Sequence, residues 1–151
     1  MKQLTLVFVI ESNRVLLGYK KRGFGSGRFN GFGGKVEPNE SLEAAALREL
    51  QEEAGIIADN LESVGTLEFS FVDNEDRLQV HLFVTTQFEG VPVETEEMRP
   101  EWFVFSDVPY EHMWPDDRYW LPQVLQGERC QGSFHFDTAS TPTYTSQIIE
   151  Y

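Results

Sequence analysis

The sequence predicts an α+β fold with more strand than helix. Short blocks of β-branched and aromatic residues recur along most of the chain, while a single segment carries start, stop and periodicity signals for a helix. A glycine-rich loop separates the first strand blocks from that helix. The 151 residues are enough for one domain with a real core, and 1–151 is taken as that domain.

In chain order, Leu4 to Ile10 and Val15 to Tyr19 read as two strands turned at Ser12-Asn13. RGFGSGRFNGFGGK, from Arg22 to Lys35, reads as loop. Ser41 to Ala54 reads as a helix, with Ser41 suited to the N-cap and Gly55 to a left-handed stop. Val64 to Val72 and Leu78 to Phe88 form a long hairpin pattern around the polar turn Asp73-Asn74-Glu75-Asp76, and Glu101 to Phe105 a short strand. Pro115 to Gln126 reads as a second helix, with Pro115 near its first turn and Pro122 expected to kink or restart it. Ser133 to Phe136 and Tyr144 to Ile149 read as late strands. There is no internal repeat and no long linker.

Hydrophobic residues make up 40% of the chain and aromatic residues 13%, which excludes a disordered protein. No apolar run is long enough to span a bilayer, so no membrane partner is expected. The apolar block in MKQLTLVFVIESNRVLLGYK runs into a second strand-like block without a small-residue cleavage site, and is not read as a signal peptide. A formal net charge of -13 disfavours a nucleic-acid polymer, whose phosphates demand a basic surface. It leaves room for a phosphate compound held through divalent metal. Cys130 is the only cysteine, so no internal disulfide can form. That fits a reducing cytoplasm, or in a eukaryote a mitochondrial or nuclear pool. Cys130 has no visible partner for nucleophilic catalysis, and His81, His112 and His135 sit at no metal-ligand spacing. The glycine loop is not a phosphate-binding Walker loop, because Val36 follows Lys35 where Ser or Thr would be required.

The predicted helix raises a physical problem. Four glutamates fall between Glu43 and Glu53. With Leu42 set at zero and about 100° per residue, Ala46, Leu50 and Ala54 fall near about 40°, 80° and 120° and form the core stripe. Glu49 and Glu53 fall at about -20° and +20°, and Glu52 at about -80°, beside or over that stripe. Glu49 and Glu53 repel at i, i+4 by roughly 0.2–0.5 kcal/mol, and desolvation adds to the cost. A solvated acidic face is the usual meaning of a charge run. Placement beside the core instead favours binding of a hard cation, Mg²⁺ or Mn²⁺, by carboxylate oxygens.

The same segment has Gly34, five residues, Glu40, seven residues, Arg48-Glu49-Leu50, one residue, Glu52-Glu53, one residue and Gly55-Ile56. This resembles the Nudix box at every fixed position. The resemblance implies a Nudix fold, a mixed β-sheet sandwich flanked by helices with a loop–helix–loop motif, and metal-dependent hydrolysis of a nucleoside diphosphate linked to another group. By position it makes Glu49, Glu52 and Glu53 metal ligands and catalytic groups, with Gly34 supplying a carbonyl. Glu40 would support the loop or metal shell, and Arg48 would orient the glutamates through its planar fork. Lys35 would face a phosphate.

GYKKRGFGSGRFNGFGGKVE, EEMRPEWF and MWPDDRYW are similar to the animal-type branch of that family, over Leu4 to about Gln126. That branch acts on oxidised purine nucleoside triphosphates such as 8-oxo-dGTP and 2-oxo-dATP. The resemblance implies cleavage to monophosphate and pyrophosphate, which would sanitise the nucleotide pool and prevent DNA damage. It assigns Asn30, Asp116 and Asp117 to base recognition and Trp114 to stacking. Phe24, Phe69 and Leu6 become walls, Thr5 and Lys20 pocket-lining positions, and Glu97 a further acid near the metals. Phe29 stands where the pattern has tryptophan, and Leu78 where it has methionine; both bear on substrate preference.

Taken alone, Asp116-Asp117 fits a helix N-terminus, where each acid stabilises the dipole by roughly 0.3–1 kcal/mol. In a desolvated pocket the two carboxyls would repel and one would stay protonated, able to donate a hydrogen bond. Asn30 alone reads as a turn residue, while Trp114 and Trp120 on composition alone suit core and ligand contact equally. Lys20-Lys21-Arg22 reads as solvated loop, or as a lure for a triphosphate. The expected partner is a small-molecule nucleotide bound by a monomer. The alternatives are another substrate of the same reaction (a methylated purine triphosphate, ADP-ribose or a dinucleoside polyphosphate) and a non-catalytic nucleotide- or calcium-binding module.

Overall fold

The computed structural model describes residues 1–137 and 144–150, with backbone alone over 144–148. The described elements are β1 (Lys2–Glu11), β2 (Arg14–Lys20), β3 (Phe29–Asn30), α1 (Leu42–Ala54), β4 (Ile57–Ala58), β5 (Glu62–Phe71), β6 (Arg77–Thr85), β7 (Phe88–Glu89), β8 (Met98–Val104), α2 (Asp117–Leu125), β9 (Cys130–Phe136) and β10 (Tyr144–Glu150). The main sheet runs β10-β9-β5-β6-β1-β2-β3, with β8 also paired to β2. It is mixed: β1 with β6 and β5 with β9 are parallel, and the other pairs antiparallel.

β1 shows why the chain needs helices on both faces. Val7, Phe8 and Val9 are all fully buried, Val7 and Val9 in one apolar cluster and Phe8 in another. Successive strand residues point to opposite faces, so a continuous apolar run must be covered twice. α1 covers one face with Ala46, Leu50 and Ala54, the stripe predicted from the sequence. α2 covers the other with Trp120, Leu121 and Val124. A fully buried leucine such as Leu50 or Leu121 stabilises this packing by roughly 2 kcal/mol. Ser41 caps α1 by accepting from the Ala44 N–H at 3.1 Å, and Gly55, at φ 70°, ends it.

β1 and β2 pair only between Val9–Glu11 and Arg14–Leu16, then diverge. The glycine-rich segment fills the wedge. Phe29 and Asn30 pair with Tyr19 and Gly18 on the β2 side. On the β1 side, the Val7 N–H donates to Phe32 O at 2.6 Å and the Thr5 N–H to Gly34 O at 2.9 Å. Gly33 makes this close approach achievable, because a Cβ there would lie 1.7 Å from the Thr5 carbonyl oxygen.

Three sequence expectations are corrected. α2 runs through Pro122 without restarting; the carbonyl that loses its partner belongs to exposed Arg118. The hairpin strand ends at Thr85, whose hydroxyl donates to Gln87 O at 3.0 Å, and Phe88 pairs separately with Ala58. β8 begins at Met98, three residues before the predicted start, because all seven of its residues pair with β2. Among the described residues no helix is long and apolar enough to cross a membrane.

Candidate active site

The carboxylates of α1 are ordered by one guanidinium. Arg48 grips Glu40 with two bonds, Nε to Oε2 at 2.7 Å and Nη2 to Oε1 at 3.0 Å. Its Nη1 reaches Glu49 Oε1 at 2.9 Å and Glu52 Oε2 at 3.4 Å, and its Nη2 reaches the Lys35 carbonyl at 3.2 Å. The fork geometry of Arg matches such paired acceptors. Glu40 also accepts the Glu37 N–H at 3.0 Å; the Arg48 bond, then this one, hold its carboxyl down at about 2. Glu40 and Arg48 thus fasten the loop before α1 to the helix.

Glu53 and Glu49 are in a different electrostatic setting. Glu53 is buried and its carboxyl is pushed up to about 7, chiefly by burial and also by the Glu49 charge, against the Gly33 N–H that it accepts at 2.8 Å. Glu49 is likewise raised, first by desolvation, against the pull of Arg48. Glu52, with its side chain 59% exposed, points to solvent. A Cβ on Gly34 would lie 2.7 Å from Glu49 Oε1, so the glycine leaves space that the carboxylate occupies. Glu97 lies on the loop before β8 and is near enough that its charge raises Glu53; it pairs with Arg22 at 3.6 Å.

Among the described residues, no three His, Cys, Asp or Glu side chains converge tightly enough to enclose a metal ion by themselves. The donor set still suits a hard divalent cation. Glu49 and Glu53 are desolvated carboxyls whose ionised forms are penalised in the absence of a counter-charge. Their oxygens, with Glu52 and the Gly34 carbonyl, are the ligand type that Mg²⁺ takes, usually with several waters and substrate oxygens.

A cleft of about 200 Å³ opens from this acidic end. It passes through the wedge between β1 and β2, so Gly33, Gly34 and Glu53 line one end and the aromatic face of the sheet the other. All eight residues predicted to bind substrate line it: Thr5, Lys20, Phe24, Asn30, Phe69, Trp114, Asp116 and Asp117. Leu6 and Leu78 line it too. Phe29 does not; it packs edge-on against Tyr19 and Phe103, at 5.3 and 5.1 Å between centroids. Glu40, Arg48, Glu49, Glu52 and Glu97 stand outside the cleft lining.

The polar groups in the cleft are few. Asn30 Oδ1 accepts the Gly31 N–H at 2.8 Å, leaving its amide nitrogen as a donor. Asp116 accepts from Trp120 Nε1 at 2.8 Å; burial nevertheless pushes its carboxyl up to about 6. Asp117 is raised well above the ordinary range, first by burial and then by the Asp116 charge. Among the described residues, Asp117 Oδ2 and Thr5 Oγ1 are buried with no hydrogen-bond partner. Burial without a partner is costly, which marks both atoms as waiting for a ligand. Burial raises both carboxyls of the pair, and the Asp116 charge raises Asp117 further.

Sequence reasoning missed several lining residues. Phe136 reaches the cleft because β9 lies parallel to β5 and brings its ring to 5.9 Å from Phe69. The Phe134-x-Phe136 alternation was the available signal. Trp120, which composition left open between core and ligand contact, lines the cleft four residues after Asp116, a spacing that places the two on one helix face. Phe71, Val80, Met98 and Arg28 gave no local signal.

The NUDIX domain family model matches residues 2–124. The chain is 49% identical over 137 residues to an oxidized purine nucleoside triphosphate hydrolase of Mus musculus, covering 91% of this chain and 88% of that protein. It is 49% identical over 135 residues to the Danio rerio protein of the same name, covering 89% and 86%. A crystal structure of a mutator MutT protein from Bacillus halodurans superposes with a TM-score of 0.87 at 26% identity, covering 99% of this chain and 98% of that one.

Proposed function

The chain belongs to the Nudix family and is a Nudix hydrolase, and from that premise we propose how its site works on oxidised purine nucleoside triphosphates. The substrates are 8-oxo-dGTP, 2-oxo-dATP and their kind, cleaved to monophosphate and pyrophosphate, so that damaged nucleotides are removed before a polymerase uses them. The observation that carries this reading is one cleft whose aromatic-walled end holds the buried Asp116 and Asp117 and whose other end reaches Glu53 through the wedge of glycines. Identity of 49% to the mouse and zebrafish hydrolases, over 91% and 89% of this chain, supports the same substrate class.

Nudix hydrolases generally use divalent metal ions. Here Glu49, Glu52, Glu53, the Gly34 carbonyl and Glu97 would hold Mg²⁺, with Mn²⁺ as a substitute. The ion supplies charge neutralisation on the triphosphate and a lowered pKa for water. Arg48 and Glu40 fix the angle at which the glutamates are presented. Glu53, held by the Gly33 N–H, or Glu52 accepts the proton of the attacking water. Lys20, which carries no ion pair among the described residues, draws the phosphates inward. Phe24, Phe69 and Trp114 enclose the base, while the Asn30 amide and the two aspartates read its edge. A protonated Asp117 donates and an ionised Asp116 accepts, which suits bases with different donor patterns.

The protein acts as a monomer in a reducing compartment, the cytoplasm, with no nucleic-acid polymer and no membrane as partner. The reading is tested by product analysis: 8-oxo-dGTP with Mg²⁺ should yield pyrophosphate and 8-oxo-dGMP. Release of orthophosphate instead would contradict it.

A further inference from the structure

Trp114 comes from the segment just before α2, yet it is fixed by a different part of the chain. The guanidinium carbon of Arg28 lies 4.6 Å from the centre of the Trp114 ring. The Phe24 ring lies 5.3 Å away, tilted by 36°. A Cβ on Gly25 would sit 3.4 Å from the indole, so the backbone of the loop rests against the ring. The loop carrying all three contacts is closed on itself. The Gly27 N–H donates to Lys20 O at 2.8 Å, the Lys20 N–H to Arg28 O at 3.0 Å, and the Ser26 N–H to Gly23 O at 3.1 Å. Gly23, Gly25 and Gly27 all take positive φ, which this tight path requires. Among the described residues Arg28 forms no ion pair with a carboxylate, although the chain is strongly acidic.

We propose that Arg28, at the cleft wall, is a positioning residue: its guanidinium, stacked on Trp114, holds the indole in the plane that receives the purine base, and so sets base affinity through Trp114. The inference rests on the reading of Trp114 as the stacking partner of the base. The physics is general. A planar guanidinium over an indole is held by the ring quadrupole and by stacking. A rigid aromatic wall loses less freedom when a ligand stacks on it than a rotating one. Lys20, the last residue of β2, anchors the loop through its backbone bonds to Gly27 and Arg28, so a cleft cation and the orientation of the aromatic wall are set together.

Isothermal titration with 8-oxo-dGMP, and separately with inorganic tripolyphosphate in magnesium buffer, tests it. Arg28→Ala and Arg28→Gln should bind 8-oxo-dGMP about threefold to tenfold more weakly. Arg28→Lys, which keeps the cation, should recover most of the loss, and tripolyphosphate affinity should not move. In a Trp114→Ala background, adding Arg28→Ala should cost nothing further. The inference is overturned if the loss persists in that background, or if tripolyphosphate binding falls in parallel, since Arg28 would then touch the ligand itself. If Trp114→Ala weakens 8-oxo-dGMP but Arg28→Ala does not, only this inference fails. If Trp114→Ala leaves 8-oxo-dGMP affinity intact, the underlying base-stacking reading fails with it.

Discussion

Replacing Asp117 by Asn should change how stability depends on pH more than it changes stability itself. Both members of the Asp116–Asp117 pair are buried, and both carboxyls are raised by that burial. The folded protein therefore keeps protons that the unfolded chain has already released. Stability contributed this way is fully present below the ordinary carboxyl range near 3.8 and is lost as pH rises through the folded values. One retained proton corresponds to about 1.4 kcal/mol per pH unit. Asp117 is raised well above 3.8, first by burial and then by the Asp116 charge, so its contribution is lost at about 1.4 kcal/mol per pH unit from there upward until the folded group ionises, while Asp116 is present in parent and variant alike. Asparagine has nearly the same shape and no proton to release. At pH 4 the variant and the parent should melt within about 1 kcal/mol of each other. Between pH 4 and pH 6.5 the variant should gain about 3 kcal/mol relative to the parent, roughly 6–12 °C for a chain of this size. Paired thermal melts across that range measure the difference. A gap between the two melting temperatures that stays constant from pH 4 to pH 7 would refute the buried-proton argument. The same variant should alter the pH profile on 8-oxo-dGTP and on 2-oxo-dATP unequally; unchanged kinetics on both at every pH would remove Asp117 from base recognition.

Glu53→Gln keeps an acceptor for the Gly33 N–H and removes a buried carboxyl that is penalised when ionised. Turnover should fall by about 100-fold or more, with a melting temperature at pH 7.5 equal to or above that of the parent; full activity would exclude Glu53 from catalysis. Gly33→Ala and Gly34→Ala should separate cleanly. The first drives a Cβ to 1.7 Å from backbone and should destabilise by about 3 kcal/mol or prevent folding, as seen in denaturant titration. The second meets only the Glu49 carboxylate, so it should spare stability and lower kcat by about tenfold. Ser41→Ala should cost about 1 kcal/mol in the same titration through loss of the α1 cap.

Much of this fold follows local rules, and the chain wrote those rules clearly where a single element decides them. Ser41, Gly55 and the Ala46–Leu50–Ala54 stripe specify α1 without help from the rest of the protein. The placement of Glu49 and Glu53 beside that stripe was equally legible, because it needs only the helical period. The wedge between β1 and β2 was not legible. It depends on where two strands part, and no local residue announces that, although the glycines that fill it are plain in the sequence. The aromatic end of the cleft was only half legible for the same reason. Phe136 reaches it through a parallel pairing with a strand some sixty residues earlier, about the separation that makes such contacts hard to infer. Pro122 shows the converse error, a local rule overridden: the burial of Trp120, Leu121 and Val124 holds α2 together across it.

The most direct test of the account is a competition in magnesium between 8-oxo-dGTP, 2-oxo-dATP, unmodified dGTP and dATP, a methylated purine triphosphate, ADP-ribose and a dinucleoside polyphosphate, read as kcat/KM for each. The site described here should turn over the two oxidised triphosphates most efficiently, and only while divalent metal is present. Preference for ADP-ribose or a dinucleoside polyphosphate, or turnover that survives chelation of the metal, would contradict it.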